Sequence, residues 1–143
     1  MQAPKELYTN IIEEVIPFNK FLGWKLLDIK DGYAKMLIPY REELLGDPRA
    51  KRWHGGVIGA AMDSVGGAAG MTTMTSYEDK MSTIDIRIDY LRGTKPENLI
   101  VEGEIMRSGN RIIATKMWAY HEGSDEIVAE ARAVYNVRRK EKD

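Results

Sequence analysis

Cysteine is missing from all 143 positions of the chain. Disulfide frameworks, thiolate zinc sites and thiol nucleophiles are excluded with it. An excess of either charge is missing too, since 21 Lys and Arg stand against 22 Asp and Glu, a net charge of −1. Binding to nucleic acid or to an anionic membrane surface needs a basic excess, so neither partner is expected. No apolar run is long enough to span a membrane, and the first residues, MQAPKELYTN, carry neither the basic start nor the apolar stretch of a secretory signal. The expectation is a cytoplasmic protein with a single domain over residues 1–143. Its 43% apolar residues suffice for a core and its 30% charged residues for a solvated surface. Histidine is scarce, with only His54 and His121 present.

Apolar periodicity orders what is there. Leu7, Ile11, Ile12, Val15 and Ile16 fall at helical spacing, and Pro17 ends that helix. Phe18, Phe21, Leu22 and Trp24 then read as an apolar connector against the core. Strands are predicted from Lys25 to Ile29 and from Tyr33 to Pro39, joined by the turn Lys30-Asp31-Gly32. A polar, basic loop with Arg49, Lys51 and Arg52 leads to His54. Beyond Asp79 the period changes to two, with Ile84, Ile86, Ile88 and Tyr90 alternating with charged residues. Further strands are predicted over Leu99 to Arg107, Ile112 to Tyr120 and Ile127 to Val137, with short breakers that imply antiparallel pairing. The tail from Arg138 to Asp143 reads as frayed and solvated.

Between the two groups of strands lies Gly55 to Ser76, almost uncharged and rich in small residues. It is long for a strand, and a helix that is apolar all round is a buried one. Its glycines (55, 56, 59, 66, 67 and 70) make it a poor helix in isolation, so packing must hold it. The fold class is therefore α+β: an antiparallel sheet wrapped around one long central helix, with an N-terminal helix. Met62, Met71, Met74, Met81 and Trp118 read as core.

Two features of the central helix could carry chemistry. His54-Gly55-Gly56 opens it, where the first backbone N–H groups have no internal partner and stand at the positive end of the helix dipole. The glycines leave those amides bare, so an oxyanion can approach. The alternative is a glycine-rich turn with an incidental histidine. Asp63 is the only charged residue between His54 and Glu78. Its neighbours on the same side are Gly59, Gly66, Gly67 and Gly70, a stripe along which another backbone or a substrate could come close. A carboxylate half-way along a buried helix costs several kcal/mol unless it is paired or used. The alternative is a structural aspartate bonded to a hydroxyl such as that of Ser64 or Thr83.

His54-Gly55-Gly56, Asp63 nine residues on, Ser82-Thr83-Ile84-Asp85 and Tyr90-Leu91-Arg92 together resemble the PaaI-type branch of the hotdog-fold acyl-CoA thioesterases, from about Phe21 to Val137. The resemblance implies a five- or six-stranded sheet around the central helix and subunits joined edge to edge, as a homodimer or a dimer of dimers. It implies Asp63 as the catalytic carboxylate, general base or nucleophile, and the Gly55 amide as the oxyanion donor with His54 beside it. Thr83 would help to place the water. Coenzyme A would be held by Gly56, Tyr90 and two turns, Arg92 to Lys95 (with Thr94) and Ser108 to Arg111 (with Gly109). The chain departs from the pattern in three places. Pro48 stands where Asn or Gln is common, Trp53 replaces a leucine before the HGG and implies a differently shaped acyl pocket, and Gly93-Thr94 follows the YLR strand.

Hydrolysis of an acyl-CoA thioester needs a carboxylate, a water and an oxyanion donor, with no metal or cofactor. Two other functions stay open. A dehydratase or hydratase would act through a histidine and a carboxylate, although His121 sits at a strand end. A non-catalytic acyl-CoA-binding module would have no use for a buried carboxylate.

Overall fold

The computed structural model describes residues 1 and 3–140; residues 141–143 of the predicted tail lie outside it. The N-terminal helical stretch is broken into pieces. Helix α1 (Lys5–Asn10) runs into a π-helical turn (Ile11–Val15), where the Ile16 N–H reaches the Ile11 carbonyl at 3.0 Å. Pro17 then occupies the first turn of α2 (Pro17–Leu22), a position where its missing N–H costs nothing. The stretch expected as a connector is thus a helix. It buries Leu22 and leaves Phe21 71% exposed.

Strands β1 (Lys25–Lys30) and β2 (Tyr33–Ile38) form the expected hairpin. The basic loop holds a 3-10 turn (Glu42–Leu44) and a small ribbon of β3 (Leu45–Asp47) with β4 (Arg52–Trp53). The long helix α3 (Gly55–Met71) follows, then β5 (Lys80–Tyr90), β6 (Leu99–Ser108), β7 (Ile112–His121) and β8 (Ile127–Arg138). Six strands make one antiparallel sheet in the order β1-β2-β6-β7-β8-β5. Helix α3 touches every one of them, which is the hotdog arrangement. No helix among the described residues is long and apolar enough to cross a membrane.

α3 lies close against the sheet at Gly103 of β6, where an added Cβ would stand 3.0 Å from the Val65 carbonyl oxygen. The helix ends at Met71, five residues short of Ser76. The Thr72 and Thr73 hydroxyls bond back to the Ala69 and Gly70 carbonyls at 2.7 and 2.8 Å, and Thr72 Oγ1 accepts the Gly32 N–H at 2.9 Å. Threonine hydroxyls satisfy the last carbonyls that the helix cannot. Arg139 and Lys140, directly after β8, are tied down rather than frayed. The Lys140 N–H donates to Asp79 at 2.8 Å, and the Arg139 guanidinium donates to the Thr73 carbonyl at 3.0 Å.

The two edges of the sheet differ. The N-terminal helical stretch packs against β1. The outer edge of β5 pairs with no strand of the described residues, and Ile84, Tyr90 and Leu91 at its side are half-exposed.

Candidate functional site

The Asp63 carboxylate points to the β5–β8 side of the helix and is held there by two hydroxyls. The Thr83 hydroxyl donates to Oδ1 at 2.9 Å, and the Tyr135 hydroxyl reaches the same oxygen at 3.1 Å and the Asp63 carbonyl at 2.8 Å. Oδ2 has no partner among the described residues, so one oxygen is fixed and the other is available. Thr83 and Tyr135 are cross-strand partners in β5 and β8, which is why both reach one carboxylate. Burial, reinforced by the Asp63 charge and hydrogen bond, pushes the Tyr135 phenol far above its usual range, so it stays a donor at any working pH. Thr83 was legible in the sequence. Tyr135 was not, being one large residue in the inward row of Ala131, Ala133, Tyr135 and Val137.

A β-bulge aims Thr83. Thr83 pairs with Tyr135 and Asp85 with Val134, so Ile84 is the extra residue. Before it, Met81 and Thr83 face the helix; after it, Ile88 and Tyr90 do, as their contacts with Gly59 and Gly55 show. Ile84, expected to share a face with Ile86 and Ile88, is 57% exposed. A bulge shifts the two-residue alternation by one. One strand thereby serves the carboxylate at one end and the helix N-terminus at the other.

At that N-terminus His54 has extended backbone angles (φ −63°, ψ 126°), and its Nδ1 accepts the Gly56 N–H at 2.9 Å. An accepting Nδ1 places the neutral ring's proton on Nε2. The cap consumes the Gly56 amide, which the sequence offered to coenzyme A. The Gly55 N–H has no acceptor among the described residues. Tyr90 donates its hydroxyl to the Gly55 carbonyl at 2.6 Å, closing one side of this terminus. Gly55 and Asp63 lie about 12 Å apart along the axis at 1.5 Å per residue. A single chain therefore does not bring them together.

The turns named for coenzyme A stand at opposite ends of the sheet, separated by the ten-residue strand β6, about 30 Å. Thr94 has a structural use, since its hydroxyl accepts the Trp53 N–H at 2.9 Å. His121 Nε2 accepts the Lys95 N–H at 2.9 Å while Nδ1 meets the Asn98 carbonyl at 3.1 Å, so this histidine braces the turn from a buried position. Arg92 pairs with Glu126 at 3.0 Å. The Lys95 and Arg111 side chains form no ion pair among the described residues and are exposed, as is Ser108; the Gly109 N–H closes its own turn onto the Ile112 carbonyl at 2.8 Å. The Arg52 guanidinium lies where a Cβ on Gly93 would be, which fits glycine after the YLR strand.

The glycine stripe is filled from within the chain. Added Cβ atoms would stand 2.7 Å from Ile88 at Gly59, 2.5 Å from the Tyr135 hydroxyl at Gly66 and 2.8 Å from Met81 at Gly70. The glycines let β5, β7 and β8 approach the helix, rather than a second helix or a substrate. Gly67 alone keeps ordinary room. It borders a cavity of about 650 Å³ beside Asp63, lined by Leu7, Ile11, Ile12 and Ile16 on one side and by Met71 and Met81 among others across from them. Met71, Met74 and Met81, expected in the core, line this cavity instead, and Met62 is core. Trp118 lies half-buried on the sheet, its indole N–H donating to Glu102 at 3.1 Å. Among the described residues no cluster of His, Asp and Glu could hold a metal ion.

Asp79 closes the loop at the cavity's border. Its carboxylate accepts the N–H groups of Lys140 at 2.8 Å and Thr75 at 3.0 Å. These bonds, the Lys140 one foremost, outweigh burial and hold the Asp79 carboxyl below the usual carboxylate range. A depressed folded value stabilises above the unfolded aspartate pKa of about 3.9, and that stability is lost as pH falls through the lower folded value. Asp79→Asn sets an NH2 group against one of the two N–H donors. It should melt below the parent at neutral pH, and the gap should narrow on acidification in melting curves taken across pH.

Comparison with known proteins gives a consistent picture. The family model of the thioesterase superfamily matches residues 51–128. A medium/long-chain acyl-CoA thioesterase, YigI of Escherichia coli, is 28% identical over 134 residues, which cover 85% of this chain and 86% of that protein. The crystal structure of a thioesterase-superfamily protein from a structural genomics programme is 27% identical, with a TM-score of 0.85 over 93% of this chain and 97% of that one. Thioesterase HI1161 of Haemophilus influenzae is 16% identical with a TM-score of 0.83, over 97% and 93% of the two chains, a likeness of fold.

Proposed function

Because the chain belongs to the thioesterase superfamily and is a thioester hydrolase, we propose that it hydrolyses acyl-CoA thioesters, with Asp63 as the catalytic carboxylate and the Gly55 amide as the oxyanion donor. One observation carries this reading: a carboxylate with Oδ1 held by Thr83 and Tyr135 and Oδ2 unpartnered, beside a large apolar cavity. Asp63 takes a proton from water as the hydroxide adds to the thioester carbonyl. The Gly55 N–H stabilises the oxyanion, and collapse expels coenzyme A as the thiolate, which receives the proton held by Asp63, and leaves the free acid. As a nucleophile, Asp63 would instead form a mixed anhydride that water then cleaves. A general base is worth about 10²–10⁴-fold, and an oxyanion donor about 10²–10³ in kcat.

The amide and the carboxylate serving one thioester come, in this reading, from two copies of the chain. The open edge of β5 supports it. If two β5 strands pair antiparallel across a two-fold axis near Ile86 and Arg87, Thr83 of one lies opposite Tyr90 of the partner subunit. That pairing brings Asp63 towards the Gly55 amide of the other copy, and it covers an edge that is otherwise an aggregation hazard. Arg92 and Lys95 from one copy and Ser108 and Arg111 from the other would flank the bound coenzyme A. The apolar cavity and the likeness to a medium/long-chain thioesterase favour an acyl chain over a small acyl group.

A thiol-release assay over a panel of acyl-CoAs tests the reading. Release with saturated chains, strongest for medium or long ones, is expected. Hydration of enoyl chains without release of thiol would indicate a hydratase, and tight binding without turnover a binding module; either overturns the proposal.

A further inference from the structure

The acyl cavity is bordered by polar groups that the hydrolytic reading does not use. Besides Tyr135, two buried polar side chains border it, Asp79 and Asn19. Asp79 is satisfied by the backbone N–H groups of Thr75 and Lys140. Asn19, in α2, is 2% exposed, and its carboxamide has no hydrogen-bond partner among the described residues. Among those residues the only buried side-chain polar atom both sealed off and unpartnered is the Trp24 indole nitrogen. The Asn19 carboxamide, unpartnered as well, opens on the cavity. Ile12, Ile16 and Ala68, which line the same cavity, are apolar. Nearer the carboxylate the Ser64 hydroxyl, which also borders the cavity, has no partner among the described residues either.

A carboxamide carries two N–H donors and an acceptor oxygen, and a buried one left unbonded is costly. A plain hydrocarbon chain entering this cavity would displace any solvent from it and supply nothing in return. Resting on the hydrolase reading for the identity of the cavity, we infer that the preferred acyl group carries a hydrogen-bonding oxygen, a hydroxyl or an oxo group along its chain, which Asn19 binds. Discrimination by a site built to hydrogen-bond a substrate group is strong, because the analogue lacking that group leaves the site's own polar atoms unpaired.

The test compares acyl-CoAs of one chain length, saturated or bearing a hydroxyl or oxo group at successive positions. In the parent, kcat/KM for at least one oxygenated chain should exceed that of the saturated chain about ten-fold or more. Asn19→Leu, which refills the side-chain volume, and Asn19→Ala, which does not, should both bring that ratio close to one. Asn19→Gln, which keeps the carboxamide, should retain a preference. The same ratios are read from Kd values for the free acids by calorimetry, a measurement that needs no turnover. If no acyl-CoA releases thiol, the hydrolase reading of the site fails, and the Kd ratios alone decide the role of Asn19. A parent without preference at any position, or a preference that survives both Asn19→Leu and Asn19→Ala, overturns the inference.

Discussion

Asp63→Asn should lower kcat by about 10²–10⁴-fold with no loss of melting temperature. The fold is spared because asparagine keeps the oxygen that accepts from Thr83 at 2.9 Å and from Tyr135 at 3.1 Å. What disappears is the second carboxylate oxygen, the one without a partner, and with it the capacity to take a proton or attack a carbonyl. Tyr135→Phe removes one of the two bonds that position this group, so its effect on kcat should be smaller. Steady-state kinetics and thermal melts of the three proteins decide the matter. Retention of more than about a tenth of the parent kcat in Asp63→Asn would contradict even the weakest general-base contribution. A burst of thiol release in the parent's first turnover would favour the nucleophilic route, since an acyl-enzyme accumulates only there.

Gly55→Pro should be nearly as damaging, and it isolates a single hydrogen atom. Proline suits the first position of a helix, and His54 already has the extended conformation that a residue before proline adopts. The added Cβ meets only the far end of Tyr90, at 3.3 Å, which must give by a few tenths of an ångström. The N–H is then gone from a helix that still forms, and kcat should fall by about 10²–10³-fold. The two inactive proteins together make a sharper test than either alone. If each site takes its amide from one copy and its carboxylate from the other, a mixed dimer has one site with both lesions and one with neither. Equal mixing with free exchange makes about half the dimers mixed and restores about a quarter of the parent's activity, given a two-fold assembly. Exchange proven by mass spectrometry without any recovery would exclude the shared site.

The residues that pattern made visible are those whose surroundings are local. An uncharged run with one aspartate announced a buried helix with a committed carboxylate, and the alternation beyond Asp79 announced the sheet that covers it. Thr83 could be named, beside Ser64, as a hydroxyl within reach of Asp63, and the family resemblance implied its place near the water. Tyr135 could not, because its contact depends on β8 lying beside β5, a pairing between residues far apart in the chain. The bulge was hidden because its extra residue, Ile84, is itself apolar and leaves the alternation looking intact. Asn19 sits in a stretch read as a connector, where a single amide carries no signal until a cavity is seen beside it. Thr94 and His121 illustrate the reverse case. Their residue types suggest ligand binding or chemistry, and their partners are backbone N–H groups of the same chain.

The position of β5 bears on how the protein reaches its active form. Within the sheet this strand is held by β8 alone, with Lys80 facing Arg138 and Tyr90 facing Ala129. The hairpin of β6 and β7 can close early, being local, but β5 has no place to dock until β8 has added to that hairpin's free side. Long-range closures of this kind come late, since the loop entropy must be met before the pairing rewards it. Thr83 and Tyr135, the two groups that orient the carboxylate, lie on these two strands. A growing chain therefore carries Asp63 for some seventy residues of synthesis before the strand that completes its setting emerges. The setting of Asp63 is completed at the end of folding, in the same step that places β5 at the edge of the sheet.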